Sequence, residues 1–153
     1  MSNEQNRQLQ QARAIEWAEY VLPIWEKYYP KDDRPRKAIE AARTNAVSPN
    51  AAFTAARARA SDAAAAAYAA AYTYAARAAA NAAFAAADAS VHTHSAAASA
   101  ARAILLERYG EDLVKARKVL LLKEFIDFEI IKWIDHKPEQ FWDVVLETYC
   151  TGK

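Results

Sequence analysis

Alanine dominates the middle of this chain: 31 of the 53 residues from Ala51 to Ala103 are alanine, and none is glycine or proline. Alanine has the highest helix propensity because it loses no side-chain entropy in a helix. A helix coated with methyl groups buries little area per residue, but its backbone can approach neighbouring helices closely. The tract therefore predicts alanine-rich helices at the centre of a tight bundle.

The tract is too long to be one helix. A continuous helix over residues 49–109 would be about 90 Å long, whereas a compact domain of this size is about 40 Å across. Two clusters of capping residues mark the expected breaks, Ser61-Asp62 and the segment from Asp88 to Ser95.

The rest of the chain shows helical periodicity and no strand pattern. From Gln5 to Tyr29, the residues Ile15, Ala18 and Trp25 recur on one helical face. Pro23 lies inside this segment and is expected to kink the helix or restart it. Two further amphipathic helices are predicted at 112–134 and 138–149.

Helix caps mark the remaining boundaries. An aspartate followed by Pro35 predicts a helix start after residue 32, and this helix is expected to reach Ala46. Ser48 and Pro49 predict the next start, and Gly110 predicts a stop. The expected fold is all-α: a single domain over residues 1–153, forming a compact bundle of six or seven helices with closely packed alanine-rich central helices.

Charge and cysteine content exclude several classes of protein. The 20 Lys and Arg against 19 Asp and Glu give a net charge of +1, so no global field favours nucleic acid or a membrane surface. We expect no signal peptide, because the N-terminal residues are polar, and no membrane span, because the tract carries charges. Cys150 is the only cysteine, which excludes an internal disulfide. We expect a cytoplasmic protein.

The larger residues of the alanine tract follow a regular spacing of three and four, which would place them on one seam of a continuous helix. They are Tyr74, Arg77, Asn81, Phe84, Asp88, Val91, Ser95, Ser99 and Arg102. The seam is either a solvated edge or the lining of a binding groove. Its candidate binding residues are Arg77, Asn81 and Asp88, joined by His92. The tract's aromatic residues are expected in the core: Tyr68, Tyr72, Tyr74 and Phe84.

No motif for metal binding or catalysis stands out. His92 and His94 are two residues apart and would point about 200° apart on a helix. Asp88 and His92 are spaced as a hydrogen-bonded pair, without a third metal ligand nearby in sequence. No nucleophile motif or phosphate loop occurs. We expect a non-enzymatic protein without a metal or cofactor.

The densest basic segment surrounds Pro35. Its candidate binding residues are Asp33, Arg34, Arg36, Glu40 and Arg43. Arg36, Glu40 and Arg43 share one helical face, so Glu40 is expected to pair with either arginine. The segment is either a salt-bridged surface turn or a site for an anion or a partner, since the planar arginine fork suits carboxylate and phosphate.

The segment AEYVLPIWEKYYPKDDRPRKAIEAAR, followed by the tract AARAAANAAFAAADASVHTHSAAASAARA, resembles the immunity proteins of bacterial polymorphic toxin systems. The resemblance covers about residues 12–103 and includes a D-x-R-P-R-x-A-I-E-x-x-R signature. The matching residues are Asp32, Arg34, Pro35, Arg36, Ala38, Ile39, Glu40 and Arg43. The resemblance implies an all-helical, non-catalytic protein that binds and neutralises a cognate toxin inside the cell.

Two functions follow from these features. The first is an immunity protein that acts by occlusion, with a rigid helical face covering the active site of a toxin. The alternative is a helical bundle that binds a small anionic or nucleotide-like ligand through residues 34–43 and the polar seam. Aromatic residues near the C-terminus are expected mostly in the core, and some of them offer a surface for a homodimer or a partner: Trp133, Phe141, Trp142 and Tyr149.

Overall fold

A computed structural model describes residues 3–88 and 93–109 of the chain, and these residues form five α-helices and no strand. The helices are α1 (Asn3–Tyr28), α2 (Arg34–Val47), α3 (Ala51–Ala70), α4 (Tyr74–Ala87) and α5 (Thr93–Tyr109). The all-α prediction is confirmed for these residues. The predicted stop at Gly110 and the helices at 112–134 and 138–149 lie outside them, so the count of six or seven helices and the domain limits stay predictions.

Helix α1 supplies the large side chains of the core. Ile15, Ala18 and Trp25 are all buried, which confirms the predicted apolar face. The helix continues through Pro23, so the predicted restart is wrong. Pro23 is exposed.

The turn between α1 and α2 is held by Trp25. Its indole Nε1 donates a 2.7 Å hydrogen bond to the carbonyl oxygen of Asp32, and its ring stacks on Tyr29 at 4.6 Å. Pro35 lies in the first turn of α2, as predicted. Asp33 occupies the N-cap position without a side-chain capping bond, while Asp32 Oδ1 accepts the amide N–H of Arg34 at 3.2 Å.

Helix α3 differs from the sequence prediction at both ends. Asn50, not Ser48, is the N-cap, because its side-chain oxygen accepts the amide N–H of Phe53 at 2.8 Å. The predicted break at Ser61-Asp62 is wrong. Ser61 lies buried in the middle of α3, and its hydroxyl donates to the carbonyl oxygen of Phe84 on α4 at 3.5 Å.

The break between α3 and α4 lies at residues 71–73, where the chain contacts the residue that follows α1. Ala71 has an extended backbone, with φ −75° and ψ 142°. The amide N–H of Tyr72 donates a 2.7 Å hydrogen bond to the hydroxyl of Tyr29, the residue after α1. A distant side chain thus satisfies an amide that a continuing helix would pair internally.

The second predicted break, within Asp88 to Ser95, is confirmed. Helix α4 ends at Ala87, and Asp88 is extended, with φ −60° and ψ 148°. Helix α5 follows from Thr93.

Helix α4 is central and packs against α1, α2, α3 and α5. Nine of its 14 residues are buried alanines, so its surface is almost entirely methyl groups on every packed side. Side chains this small leave room for four neighbouring helices around one short helix. The prediction of a closely packed alanine-rich centre is therefore confirmed for α4.

The end of α1 is also tied to α5. Glu107 accepts hydrogen bonds from Lys27 Nζ at 2.5 Å and from the Tyr28 hydroxyl at 2.7 Å. Burial raises the pKa of Glu107, but the two hydrogen bonds bring it below its ordinary value.

None of the helices in the described ranges combines the length and the apolar character that a membrane span requires.

Candidate functional site: the groove between α1 and α2

Helices α1 and α2 run antiparallel and enclose a groove of about 180 Å³. We call it the α1–α2 groove. Its lining residues are Glu19, Leu22, Pro23, Glu26, Arg36, Ile39, Glu40 and Arg43. Leu22 and Ile39 are buried and form an apolar floor, and the charged side chains form the rim.

Two ion pairs join the walls of the groove. The Nε and Nη2 atoms of Arg36 donate to the two carboxylate oxygens of Glu26, each at 2.7 Å, in a bidentate arrangement. Arg43 pairs with Glu19. Both ion pairs can form at once because the two glutamates on α1 and the two arginines on α2 have the same spacing of seven residues, or about two turns.

The predicted pairing of Glu40 with Arg36 or Arg43 is wrong. Both guanidinium groups turn towards α1, where a carboxylate lies opposite each of them, so Glu40 bonds to neither. Glu40 lies on the exposed rim of the groove, where its negative charge still acts on Arg36. Three carboxylates against two guanidinium groups give the groove a charge of 2 − 3 = −1.

The ion pair between Arg36 and Glu26 shifts both pKa values. The hydrogen bonds from Arg36 hold the pKa of Glu26 below its ordinary value, although burial acts in the opposite direction. The same hydrogen bonds, with the charge of Glu26, raise the pKa of Arg36. Both groups therefore stay charged at neutral pH, and the groove walls stay joined.

Asp33 and Arg34 lie outside the groove, in the first turn of α2. Arg34 bonds to both carboxylate oxygens of Asp32, with a shortest distance of 2.6 Å, and these bonds lower the pKa of Asp32. Asp33 pairs with Lys37 at 3.3 Å. These two predicted residues therefore stabilise the start of α2, beside the groove.

The predicted polar seam is not continuous, because the chain breaks after α4. Its two parts face each other instead: the Asn81 amide on α4 donates a 2.7 Å hydrogen bond to the Ser99 hydroxyl on α5. Asp88 is half-buried at the end of α4, and His92 lies outside the described residues. The structure therefore does not bring Arg77, Asn81 or Asp88 into the α1–α2 groove.

The tyrosines of the tract are exposed, which corrects the expectation that they lie in the core. Tyr72 is 90% exposed, Tyr74 54% and Tyr68 36%. The Arg77 guanidinium lies 4.8 Å from the ring centroid of Tyr68 and 5.9 Å from that of Tyr74. We call Tyr68, Tyr72, Tyr74 and Arg77 the tyrosine corner. Phe84, by contrast, packs against the core as expected.

Sequence reasoning missed Glu19 and Glu26, which complete the groove. The signal was available as a matched spacing: two acidic residues seven apart on one helix, and two arginines seven apart on the next. Within the described ranges, no three His, Cys, Asp or Glu side chains come together as a metal site.

One protein family matches the chain by its sequence model. Its description is Imm-5 like putative immunity protein, and the match covers residues 1–122 of the 153. The matched range includes all five helices, the α1–α2 groove and the tyrosine corner. No curated protein and no solved structure matches the chain.

Proposed function

This chain belongs to the family described as Imm-5 like putative immunity proteins, and we propose from that membership that it binds a toxin protein and neutralises it. The family match over most of the chain is the observation that carries the proposal. The inhibition is non-catalytic and works by occlusion: a rigid helical face covers the active site of the toxin in the cytoplasm.

The α1–α2 groove is the proposed toxin contact. Its buried apolar floor and charged rim resemble the anatomy of protein interfaces, in which an apolar centre is surrounded by polar groups. The two ion pairs between the walls keep the groove preformed, which lowers the entropic cost of binding.

The charge of the groove indicates the chemistry of the toxin segment. Arg36 and Arg43 are already bonded to glutamates, whereas Glu40 bonds to neither arginine and lies exposed on the rim. With a groove charge of −1, the complementary group is a basic side chain of the toxin. In this proposal Arg36 and Arg43 position the walls, and Glu40 contacts the toxin.

The alternative, a small anionic or nucleotide-like ligand, is not favoured by this geometry. An anion in the groove would have to displace Glu26 from a bidentate ion pair, and it would still face the carboxylate of Glu40. Like charges at such distances oppose binding.

The experiment is co-expression with the protein encoded immediately upstream, which is the probe for the toxin. We expect this protein to arrest bacterial growth when expressed alone, growth to recover when the chain is co-expressed, and the two purified proteins to form a complex. An inert helical protein of similar size, expressed at the same level, is the control. Failure of the chain both to restore growth and to form a complex would refute the proposal.

A further inference from the structure

The tyrosine corner is an unusual concentration of exposed aromatic surface. Tyr68 lies in the last turn of α3, Tyr74 begins α4, and Tyr72 lies in the three-residue break between them. The bond from the Tyr72 amide to the Tyr29 hydroxyl fixes the backbone beneath the most exposed ring. The corner therefore presents aromatic rings to solvent on a fixed backbone, as protein-binding surfaces do.

Arg77 gives this corner a positive charge that no carboxylate of residues 3–88 or 93–109 pairs with. Four other arginines in the described ranges pair with carboxylates: Arg13, Arg34, Arg36 and Arg43. Arg77 makes no ion pair with any carboxylate in the same ranges, and lies instead against the rings of Tyr68 and Tyr74. Cation–π contacts orient a guanidinium without cancelling its charge.

We propose that the tyrosine corner is a second surface that binds the toxin, and that Arg77 forms an ion pair there with an aspartate or glutamate side chain of the toxin. This inference rests on the proposed function and adds a second contact to it. Arginine's planar fork bonds carboxylates in a bidentate manner. The exposed tyrosine rings pack around that pair and exclude water, and tyrosine and arginine are the residue types enriched among the strongest interface contacts.

The two surfaces are complementary in sign. The α1–α2 groove carries a charge of −1 and takes a basic side chain, whereas the corner carries the charge of Arg77 and takes an acidic one. A toxin that binds both surfaces must place a basic side chain at the groove and an acidic side chain at Arg77 at the same time. This requirement favours the cognate toxin over other proteins.

The test is the dissociation constant between the purified full-length chain and the upstream-encoded protein, measured by isothermal calorimetry. We expect Arg77→Gln to weaken binding at least about tenfold, as for an interface hot spot. Tyr72→Ala removes a ring that is 90% exposed but keeps the amide bonded to Tyr29, so it should weaken binding without changing the melting temperature.

Arg59→Gln is the matched control, because it removes the same charge from an exposed position on the same helix as Tyr68. The two positions are nine residues apart, or about 2.5 turns, and so lie on opposite sides of α3. We expect this variant to bind like the wild-type chain.

The outcomes separate this inference from the proposed function. If the wild-type chain binds and protects but Arg77→Gln and Tyr72→Ala bind equally well, the corner is not a toxin surface and the proposed function stands. If the wild-type chain neither binds nor protects, both fail. Sedimentation of the chain alone gives a further check: if the two substitutions abolish self-association and leave toxin binding unchanged, the corner joins two copies of the chain and the inference is wrong.

Discussion

The side-chain amide of Asn81 on α4 donates a 2.7 Å hydrogen bond to the hydroxyl of Ser99 on α5. Ser99 is buried, and the bond joins two helices whose other buried residues, among those described, are alanines. We expect Asn81→Ala to lower the free energy of unfolding by about 1–3 kcal/mol, because it removes the hydroxyl's partner on α4. Chemical denaturation followed by circular dichroism measures this change.

Ser99→Ala and the double variant complete a thermodynamic cycle for this bond. If the hydroxyl and the amide stabilise each other, the double variant should lose less stability than the sum of the two single variants. Additive losses would show that the hydrogen bond makes no net contribution.

The alanines of α4 are expected to resist enlargement. Ala79 and Ala86 are buried at the centre of the bundle, so replacing either with leucine forces bulk between packed helices. We expect Ala79→Leu and Ala86→Leu each to destabilise the fold by about 1–3 kcal/mol. Ala58→Leu, at an exposed position of α3, is the matched control. Equal melting temperatures for all three variants would mean that α4 is loosely packed.

Glu40 tests the proposed chemistry of the α1–α2 groove. Glu40→Gln keeps the shape of the side chain and removes its charge, so it should weaken toxin binding by about fivefold or more while leaving the melting temperature unchanged. Asp62→Asn removes one negative charge from an exposed position on α3 and should not affect binding. The proposal for the groove is wrong if the two variants bind alike.

Acid should weaken the junction of α1 and α2. The hydrogen bonds from Arg36 hold the folded-state pKa of Glu26 below its ordinary value of 4.5. The pair therefore contributes stability above about pH 4.5, and that contribution is lost as the pH falls through the lower folded-state value. We expect Glu26→Gln to reduce the drop in melting temperature between pH 7 and pH 3.

The control for the acid experiment is Glu40→Gln, which removes a carboxylate from the same groove that bonds to neither arginine. Its acid-induced drop in melting temperature should stay close to that of the wild-type chain. A drop that is the same in wild-type and Glu26→Gln proteins would show that this ion pair contributes nothing to acid sensitivity.

The fold is predictable from sequence where local signals agree. The spacing of Ile15, Ala18 and Trp25 identifies the buried face of α1, and Pro35 after an aspartate identifies the start of α2. In the alanine tract every helical face is nearly alike, so periodicity cannot place the breaks. At the break before Tyr74, the Tyr72 amide bonds to the Tyr29 hydroxyl, a contact between distant parts of the chain that local sequence signals do not show.

The sequence predicted the α2 side of the groove but not the α1 side. Helical spacing places Arg36, Glu40 and Arg43 on one face, but it does not show which helix that face meets. The partners Glu19 and Glu26 become evident only once α1 and α2 are known to pack antiparallel. The tyrosines were misplaced because their size suggested burial, whereas the buried residues of α4 are all alanine.

The packing of α4 limits which substitutions evolution can accept at its buried alanines. Glycine is the only smaller replacement for a buried alanine and costs about 1 kcal/mol of helix propensity, and every other replacement adds volume against the surrounding helices. Most single substitutions at these buried alanines are therefore expected to destabilise the protein. Tyr72, which is almost fully exposed, carries no such restriction. Under the proposed function, surface residues can therefore change one at a time to fit a new toxin while the interior stays the same.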